Sequence, residues 1–267
     1  MGRRTRLDAE LVRRGLARSR DQAADLVAGG RVLLRGVPAT KAATAVSPGD
    51  PVLLSAGDGA DYVSRGGRKL AGALDAFGTP GPVVAGRRAL DAGASTGGFT
   101  DVLLRRGALQ VVAVDVGYGQ LAWSLRTDPR VVVLDRTNVR GLRPELVGGA
   151  VGLVVADLSF ISVTLALPAL LGCAAPDADV LLLVKPQFEV GRDRVGRGGV
   201  VRDPVLRAAA VTAVATSAAR LGMGVAGVTA SPVKGPAGNA EYFLWLRADA
   251  PPAEPGAVQL AVSAGPA

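Results

Sequence analysis

From residue 88 onward the chain alternates apolar runs with stretches of helical length, and few folds accept that rhythm. The runs lie at 89–92, 111–116, 131–134, 151–156 and 180–184. Strands that are apolar on both faces and joined by helices pair in parallel under helices on either side. An α/β architecture follows, with an Ala-rich helix over 205–221 and a closing pair of strands at 224–230 and 240–247. Residues 249–267 are rich in Pro and Ala and read as a disordered tail. Leu158 to Pro176 runs 19 residues without a charge, the length of a membrane span. Ser159, Ser162, Thr164 and Pro168 interrupt it and no basic cluster flanks it closely. A buried strand end followed by a core helix is the simpler reading.

Charge is unevenly placed. The whole chain of 267 residues carries net +8, but residues 1–69 hold 13 basic against 7 acidic residues, net +6. A basic front end on a near-neutral body suggests a nucleic-acid-binding module, with a solvated arginine-rich surface as the plainer alternative. Leu7 and Leu11 mark the apolar stripe of a first short helix that ends near Gly15. Ser19 is placed to cap a second, which Gly29-Gly30 stops. Short strands with turns at 36–38 and 48–50 follow. The carrying residues are Arg6-Leu7-Asp8, Leu11, Arg14-Gly15-Leu16, Ser19-Arg20, Ala23, Leu26, Gly30, Val32, Gly36, Lys41, Val46 and Asp50. Over residues 5–55 they resemble the alpha-L RNA-binding module of small-subunit ribosomal proteins, pseudouridine synthases and tyrosyl-tRNA synthetases. The resemblance implies phosphate contacts from Arg6, Arg14, Arg18, Arg20, Arg31 and Lys41, which set affinity and register rather than sequence choice. Arg65 and Arg68, in a Ser64-Arg65-Gly66-Gly67 turn that leads into a helix through Phe77, are further phosphate candidates. The domain reading is therefore 1–58 for the RNA-binding module, 59–86 for a linker and helix, 87–248 for the α/β domain and 249–267 for the tail.

The first strand of the α/β part ends in Asp91-Ala92-Gly93-Ala94-Ser95-Thr96-Gly97-Gly98-Phe99-Thr100. A glycine-rich turn at the carboxyl edge of a parallel sheet lets a ligand lie against bare backbone. Ser95 stands where the dinucleotide fingerprint needs its second glycine. The pattern D-x-G-x-x-x-G-G instead resembles the S-adenosylmethionine loop of Rossmann-like methyltransferases. Asp115, with Val116 after it, ends the second strand 22 residues beyond Gly93, where an acid can accept from two ribose hydroxyls of either cofactor. Asp135 ends the third strand, where adenine contacts are expected, and Asp157 closes the fourth. Each acid alone is weak evidence, since Asp ends many strands as a turn former.

What the composition lacks matters as much. The chain has no histidine, which removes a Ser-His-Asp triad, a Cys-His pair and any histidine base or metal ligand. Cys173 is the sole cysteine, so no disulfide framework or multi-cysteine zinc site can form, and no metal is expected. Aromatic residues make up 4%, too few for a stacking platform along a single strand. The start lacks the apolar segment of a secretory signal, which points to the cytoplasm. A base must then be Lys, Asp or Glu. Only Lys41, Lys69, Lys185 and Lys234 exist. Lys185 ends the fifth apolar run and Lys69 precedes the first, and a partly desolvated lysine near another cation can serve as a base. Taken singly, Lys69 reads first as a solvated helix residue and Glu241 as a structural residue at a strand start.

The joint pattern is more specific than its parts. It comprises Val63 to Leu70, Asp91 to Asp101, Ala113 to Gln120, Arg136-Thr137-Asn138, Asp157 to Ser162, Val184 to Glu189, Gly199 to Asp203, Ser231 to Pro236 and Gly238 to Glu241. Across nearly the whole chain it resembles the TlyA family of hemolysin-named ribosomal RNA 2′-O-methyltransferases, with an FtsJ-like fold. The resemblance implies a Rossmann-like S-adenosylmethionine-dependent methyltransferase sheet behind a small α+β RNA-binding domain, and methylation of a ribose hydroxyl in ribosomal RNA, on cytidine. It implies a Lys-Asp-Lys-Glu tetrad at Lys69, Asp157, Lys185 and Glu241. Lys185 would be the base, Asp157 and Glu241 would orient and offset the lysines, and Lys69 would hold substrate or depress the Lys185 pKa. It also implies cofactor contacts from Asp91, Gly93, Ser95, Thr96, Gly97, Gly98, Phe99, Asp115, Val116, Asp135 and Asp157. Asp135 stands where the family pattern has Glu, which leaves the adenosine contact open. The implied partners are ribosomal subunits, without stable membrane association. Two rival readings stay in play: a membrane-active hemolysin, supported only by the charge-free stretch, and an RNA-binding protein without chemistry.

Overall fold

The apolar runs become strands of one sheet in a computed structural model that describes residues 4–17, 19–28, 30–54 and 62–266. The chain divides into two units, Met1–Arg65 and Gly66–Ala267.

In the first unit, β1 (Thr5–Arg6) leads directly into α1 (Leu7–Arg13), followed by α2 (Arg20–Ala28), β2 (Val32–Leu34), β3 (Val37–Pro38), β4 (Ala45–Val46) and β5 (Val52–Leu54). Ser19 Oγ accepts from Gln22 N at 3.1 Å, as the cap reading requires. β1 pairs with β4, and β3, β2 and β5 form a small antiparallel sheet. Leu7, Leu11, Ala23, Val27, Val32 and Val46 close a core of their own. Two acids are buried beneath it with arginine partners. Asp8 accepts from Arg6 and Arg20, and Glu10 from Arg13 and Arg14. Those guanidinium bonds hold both carboxyls down at about 2. Residues 55–61, rich in Gly, Asp and Ala and read from sequence as a linker, lie outside the described residues.

The second unit begins within α3 (Arg65–Phe77) and continues through β6 (Arg88–Ala92), α4 (Gly98–Arg105), β7 (Gln110–Val114), α5 (Trp123–Arg126), β8 (Val131–Leu134) and β9 (Val151–Ala156). It then runs through α6 (Leu167–Gly172), β10 (Ala174–Val184), α7 (Pro186–Glu189), α8 (Pro204–Ala219), β11 (Gly224–Ala230), β12 (Tyr242–Arg247) and α9 (Pro255–Ala264). The seven strands are ordered β11-β12-β10-β9-β6-β7-β8. The five from β10 to β8 are parallel, and β12 runs antiparallel between β10 and β11. From β6 the chain builds outward to β7 and β8, then crosses back to β9 on the other side. Ligands of open parallel sheets bind at such a reversal, at the carboxyl ends of the strands. Leu90, Val112, Val154, Leu182, Val211 and Leu244 are fully buried in the core.

Residues 158–176 hold a short 3-10 turn, α6 and the start of β10, with Leu167 and Leu170 fully buried. Among the described residues no helix is long and apolar enough to cross a membrane. The expected disordered tail is instead ordered over α9. Val258, Ala261 and Val262 recur at helical spacing and are buried in the main core. The Pro and Ala content hid that spacing, and Pro255 occupies the first turn, where its missing N–H costs nothing. Two strands are shorter than their apolar runs. β7 stops at Val114, leaving Asp115 and Val116 in the loop, and β12 starts at Tyr242, so Glu241 precedes it.

Candidate active site

The loop after β6 is shaped by glycines that no side chain could replace. Gly93 has φ +86, and a Cβ there would meet the Asp157 carbonyl oxygen at 2.6 Å. Gly97 has φ +99 and caps α4, and its Cβ would meet Leu125 Cδ1 at 2.3 Å. Bare backbone is therefore presented between the first and fourth strand ends. Asp115 is held by two backbone donors, Ser95 N at 2.8 Å to Oδ2 and Gly117 N at 2.7 Å to Oδ1. Each carboxylate oxygen keeps a further lone pair for a ligand. Thr96 O accepts from Ala122 N at 3.1 Å, which draws the α5 segment over the loop.

Asp91 is fully buried behind the loop. Thr100 Oγ1 donates to its Oδ2 at 2.6 Å, while Oδ1 has no hydrogen-bond partner among the described residues. Burial pushes the Asp91 carboxyl up to about 7, against the pull of Thr100 and with added repulsion from Asp157 and Asp115. Phe99 points into the core and stacks on Phe243, with centroids 6.0 Å apart. Val116 is exposed beside the loop. Asp135 accepts from Arg126 Nη1 at 2.9 Å and Gly119 N at 3.3 Å, and the Arg126 bond holds its carboxyl below the usual range. Arg136 lies over the Tyr118 ring at 4.3 Å.

Three of the four expected catalytic residues come together through strand register. Ala156 of β9 pairs with Leu182 of β10, and Val184 of β10 with Tyr242 of β12. Asp157, Lys185 and Glu241 therefore cluster at the same edge of three neighbouring strands, which lie about 4.8 Å apart. Lys185 Nζ lies 2.6 Å from Asp157 Oδ1, an ionic contact without hydrogen-bond alignment, and donates to Ser159 Oγ at 2.7 Å. α3 supplies the fourth residue. Lys69 Nζ is 2.5 Å from Glu241 Oε2, and both side chains are almost wholly buried, at 5% and 1% exposure. Gly235 permits this, since a Cβ there would strike Glu241 Oε1 at 2.4 Å. Buried pairs of this kind are costly to form and costly to break. Two of the chain's four lysines thus sit in the same sheet edge region, each against its own carboxylate.

The basic candidates of the first unit fare unequally. Arg6 and Arg20 both lean on Asp8, with more than half of each side chain exposed, and Lys41 is exposed. Arg14 is a structural tie instead. It donates to Glu10 and to the carbonyls of Asp50 and Pro48, each at 2.9 Å or less. Arg31 and Arg65 are half-buried, Arg68 is exposed, and Arg18 lies outside the described residues. No role was read from sequence for Ser159, Ser162, Thr100 or Glu189. Each is a loop or helix-end partner that only the sheet register brings to the site.

Residues 62–248 match the family described as FtsJ-like methyltransferase, and residues 5–52 match the S4 domain. The chain belongs to the FtsJ-like methyltransferase family. Its relatives in that family include a 16S/23S rRNA (cytidine-2′-O)-methyltransferase TlyA of Mycobacterium tuberculosis, 62% identical over 92% of this chain and 91% of the relative. A protein named Hemolysin A of Brachyspira hyodysenteriae is 37% identical over 89% of this chain and 98% of its own. Among solved structures, a hemolysin-named protein from Streptococcus thermophilus superposes with a TM-score of 0.78 at 37% identity, covering 98% of this chain and 96% of that one. The FtsJ-like assignment accounts for the position of the glycine loop, and the S4 domain for the separate basic unit before it.

Proposed function

We propose that this methyltransferase moves the methyl group of S-adenosylmethionine to the 2′-hydroxyl of a cytidine ribose in ribosomal RNA, in the cytoplasm where ribosomal subunits are found. The observation that carries the reading is Lys185, a lysine 8% exposed and held by Asp157 and Ser159 at the sheet edge beside the glycine loop. The 62% identical relative, a 16S/23S rRNA (cytidine-2′-O)-methyltransferase, supports the substrate.

The loop residues fit the cofactor. The cradle at Gly93 and Gly97 would be filled by any Cβ, Asp115 is pre-aimed by Ser95 and Gly117, and the orphaned Oδ1 of Asp91 is a buried acceptor. When bound, S-adenosylmethionine supplies an electrophilic methyl group. Gly93, Ser95, Thr96, Gly97 and Gly98 would hold its amino-acid end on backbone, and Asp115 its ribose, with Val116 beside the base. Phe99 supports the loop from the core.

Lys185, in its amine form, accepts the proton of the ribose hydroxyl as oxygen attacks. Asp157 stabilises the ammonium that results, and Ser159 fixes the direction of Nζ. Lys69 holds the substrate by charge, and Glu241 offsets that charge from within their buried pair. Alignment of hydroxyl oxygen and methyl carbon provides the rest of the rate. Arg6, Arg20 and Lys41 provide phosphate affinity from the S4 unit.

The test is transfer of labelled methyl from S-adenosylmethionine to unmodified ribosomal subunits by wild type and Lys185→Ala. Label in RNA that falls by about 10²–10⁴-fold in the variant is expected for a lost general base. Label that persists unchanged removes Lys185 from that role, and RNA left unlabelled by wild type removes the reaction.

A further inference from the structure

Two segments leave adjacent strands at the sheet edge, 157–163 after β9 and 185–189 after β10. They are joined at both ends. At the near end Lys185 Nζ meets Asp157 Oδ1 at 2.6 Å and Ser159 Oγ at 2.7 Å. At the far end Glu189 accepts twice, from Ser162 Oγ at 2.5 Å to Oε2 and from Val163 N at 2.9 Å to Oε1. Ser162 Oγ in turn accepts from Thr164 N at 3.2 Å and lies 2.6 Å from Thr164 Oγ1; with Thr164 donating in that hydroxyl pair, the Ser162 hydrogen goes to Glu189. Between the two ends Phe160 is 89% exposed and sits at φ +66. A bulky residue in that region is strained and persists only where its surroundings fix it. Its ring centroid lies 5.5 Å from that of the half-buried Phe188, but a ring so exposed does not by itself set a backbone angle. The bonds on either side of it can.

We propose that Glu189 is a positioning residue for methyl transfer: its carboxylate clamps Ser162 and the Val163 amide, and so holds Asp157 and Ser159 against the Lys185 amine. The proposal rests on Lys185 being the base. Among the described residues the Glu189 carboxylate bonds to Ser162 and Val163, and its side chain acts through the 157–163 segment. The carboxylate suits the task because one ionised group can accept from two donors that lie on successive residues.

The experiment measures kcat and KM for labelled methyl transfer to ribosomal subunits, together with amide hydrogen exchange of the free protein. Wild type is compared with Glu189→Ala, Ser162→Ala, Ser162→Thr and the double alanine variant. Glu189→Ala should lower kcat by about 10–100-fold, the scale of a small misplacement, with KM for S-adenosylmethionine within about twofold. Ser162→Ala should fall in the same direction, and Ser162→Thr, which keeps the hydroxyl, should recover most of the rate. The double variant should be no slower than Glu189→Ala alone, because the two residues act as one unit. Exchange at 158–163 should quicken without cofactor or RNA present. A wild-type kcat in Glu189→Ala, strictly additive losses, or slowed catalysis with unchanged exchange would each overturn the clamp. Should Glu189→Ala fail to fold, the Ser162→Ala and Ser162→Thr pair decides by the same readings. RNA left unlabelled by the wild-type enzyme overturns the reaction and the clamp together.

Discussion

Gly93 shows how one missing side chain serves two strands at once. Its φ of +86 and the Asp157 carbonyl 2.6 Å from a would-be Cβ leave neither backbone room to move. Gly93→Ala should cost about 1–3 kcal/mol of stability from the left-handed backbone alone. Calorimetric titration should also find S-adenosylmethionine binding weakened, and binding at wild-type strength would show that the loop accepts a side chain. Asp91 makes a different prediction. Its carboxyl is raised to about 7 in the folded state, so its contribution to stability is complete below about pH 4 and is lost as pH rises through 7. Both tryptophans, Trp123 and Trp245, lie in the same unit as Asp91 and report its melting. The tryptophan-detected Tm should fall between pH 5 and 8 in wild type and stay flatter in Asp91→Asn, with about 2–4 °C for each kcal/mol. Lys185 was legible in the sequence because lysine is so scarce here and this one ends an apolar run. Its partner Ser159 was not, because nothing in a one-dimensional pattern says which loop hydroxyl a folded amine will meet. Arg14 shows the reverse failure. A guanidinium aimed at two carbonyls and one aimed at solvent have the same sequence signature.

Among the elements, the parallel strands announce themselves and the last helix does not. Runs such as 131–134 and 151–156 coincide with β8 and β9; β9, inside the sheet, is covered on both faces and must be apolar throughout, while β8 is the half-buried edge strand. β10 was seen only from 180, although it begins at Ala174, since Pro176 and Asp177 are exposed and its pairing to β9 shifts between Ala174 and Asp179. α9 was missed because alanine and proline dominate its surroundings, while only Val258, Ala261 and Val262 carry the packing. Val258→Ala should destabilise the protein by about 1–3 kcal/mol, through lost burial and the cavity left behind. A chemical denaturation midpoint unchanged from wild type would show that the helix is not part of the folded unit.

For the molecule as a whole, the division into an S4 unit and a methyltransferase unit was readable from two short helices followed by short strands, ahead of the α/β rhythm, together with a net charge of +6 over residues 1–69 against +8 for the whole chain. Its acid response should be divided too. Asp8 and Glu10 are held at about 2 by their arginines, well below the values of unfolded chains. They contribute stability above about pH 4.5 that is lost as pH falls towards 2. Between those values far-UV circular dichroism should lose helix and strand signal from the first unit before tryptophan fluorescence changes, because no tryptophan lies there. Coincident transitions would mean that the acids of the second unit fail first. RNA affinity should fall steeply from low to moderate salt if Arg6, Arg20 and Lys41 meet phosphates, and a flat salt response would count against those contacts. The placing of β12 between β10 and β11 has a consequence for how the enzyme is made. In order of synthesis β11 comes before β12, yet β12 must slot between it and the strand already formed. The residue just ahead of β12 is Glu241, the counter-charge to Lys69. On the translating ribosome, Lys69 is therefore without its partner until the seventh strand emerges, so that the buried pair arrives with closure of the sheet, and a nascent chain cut off before that strand has neither.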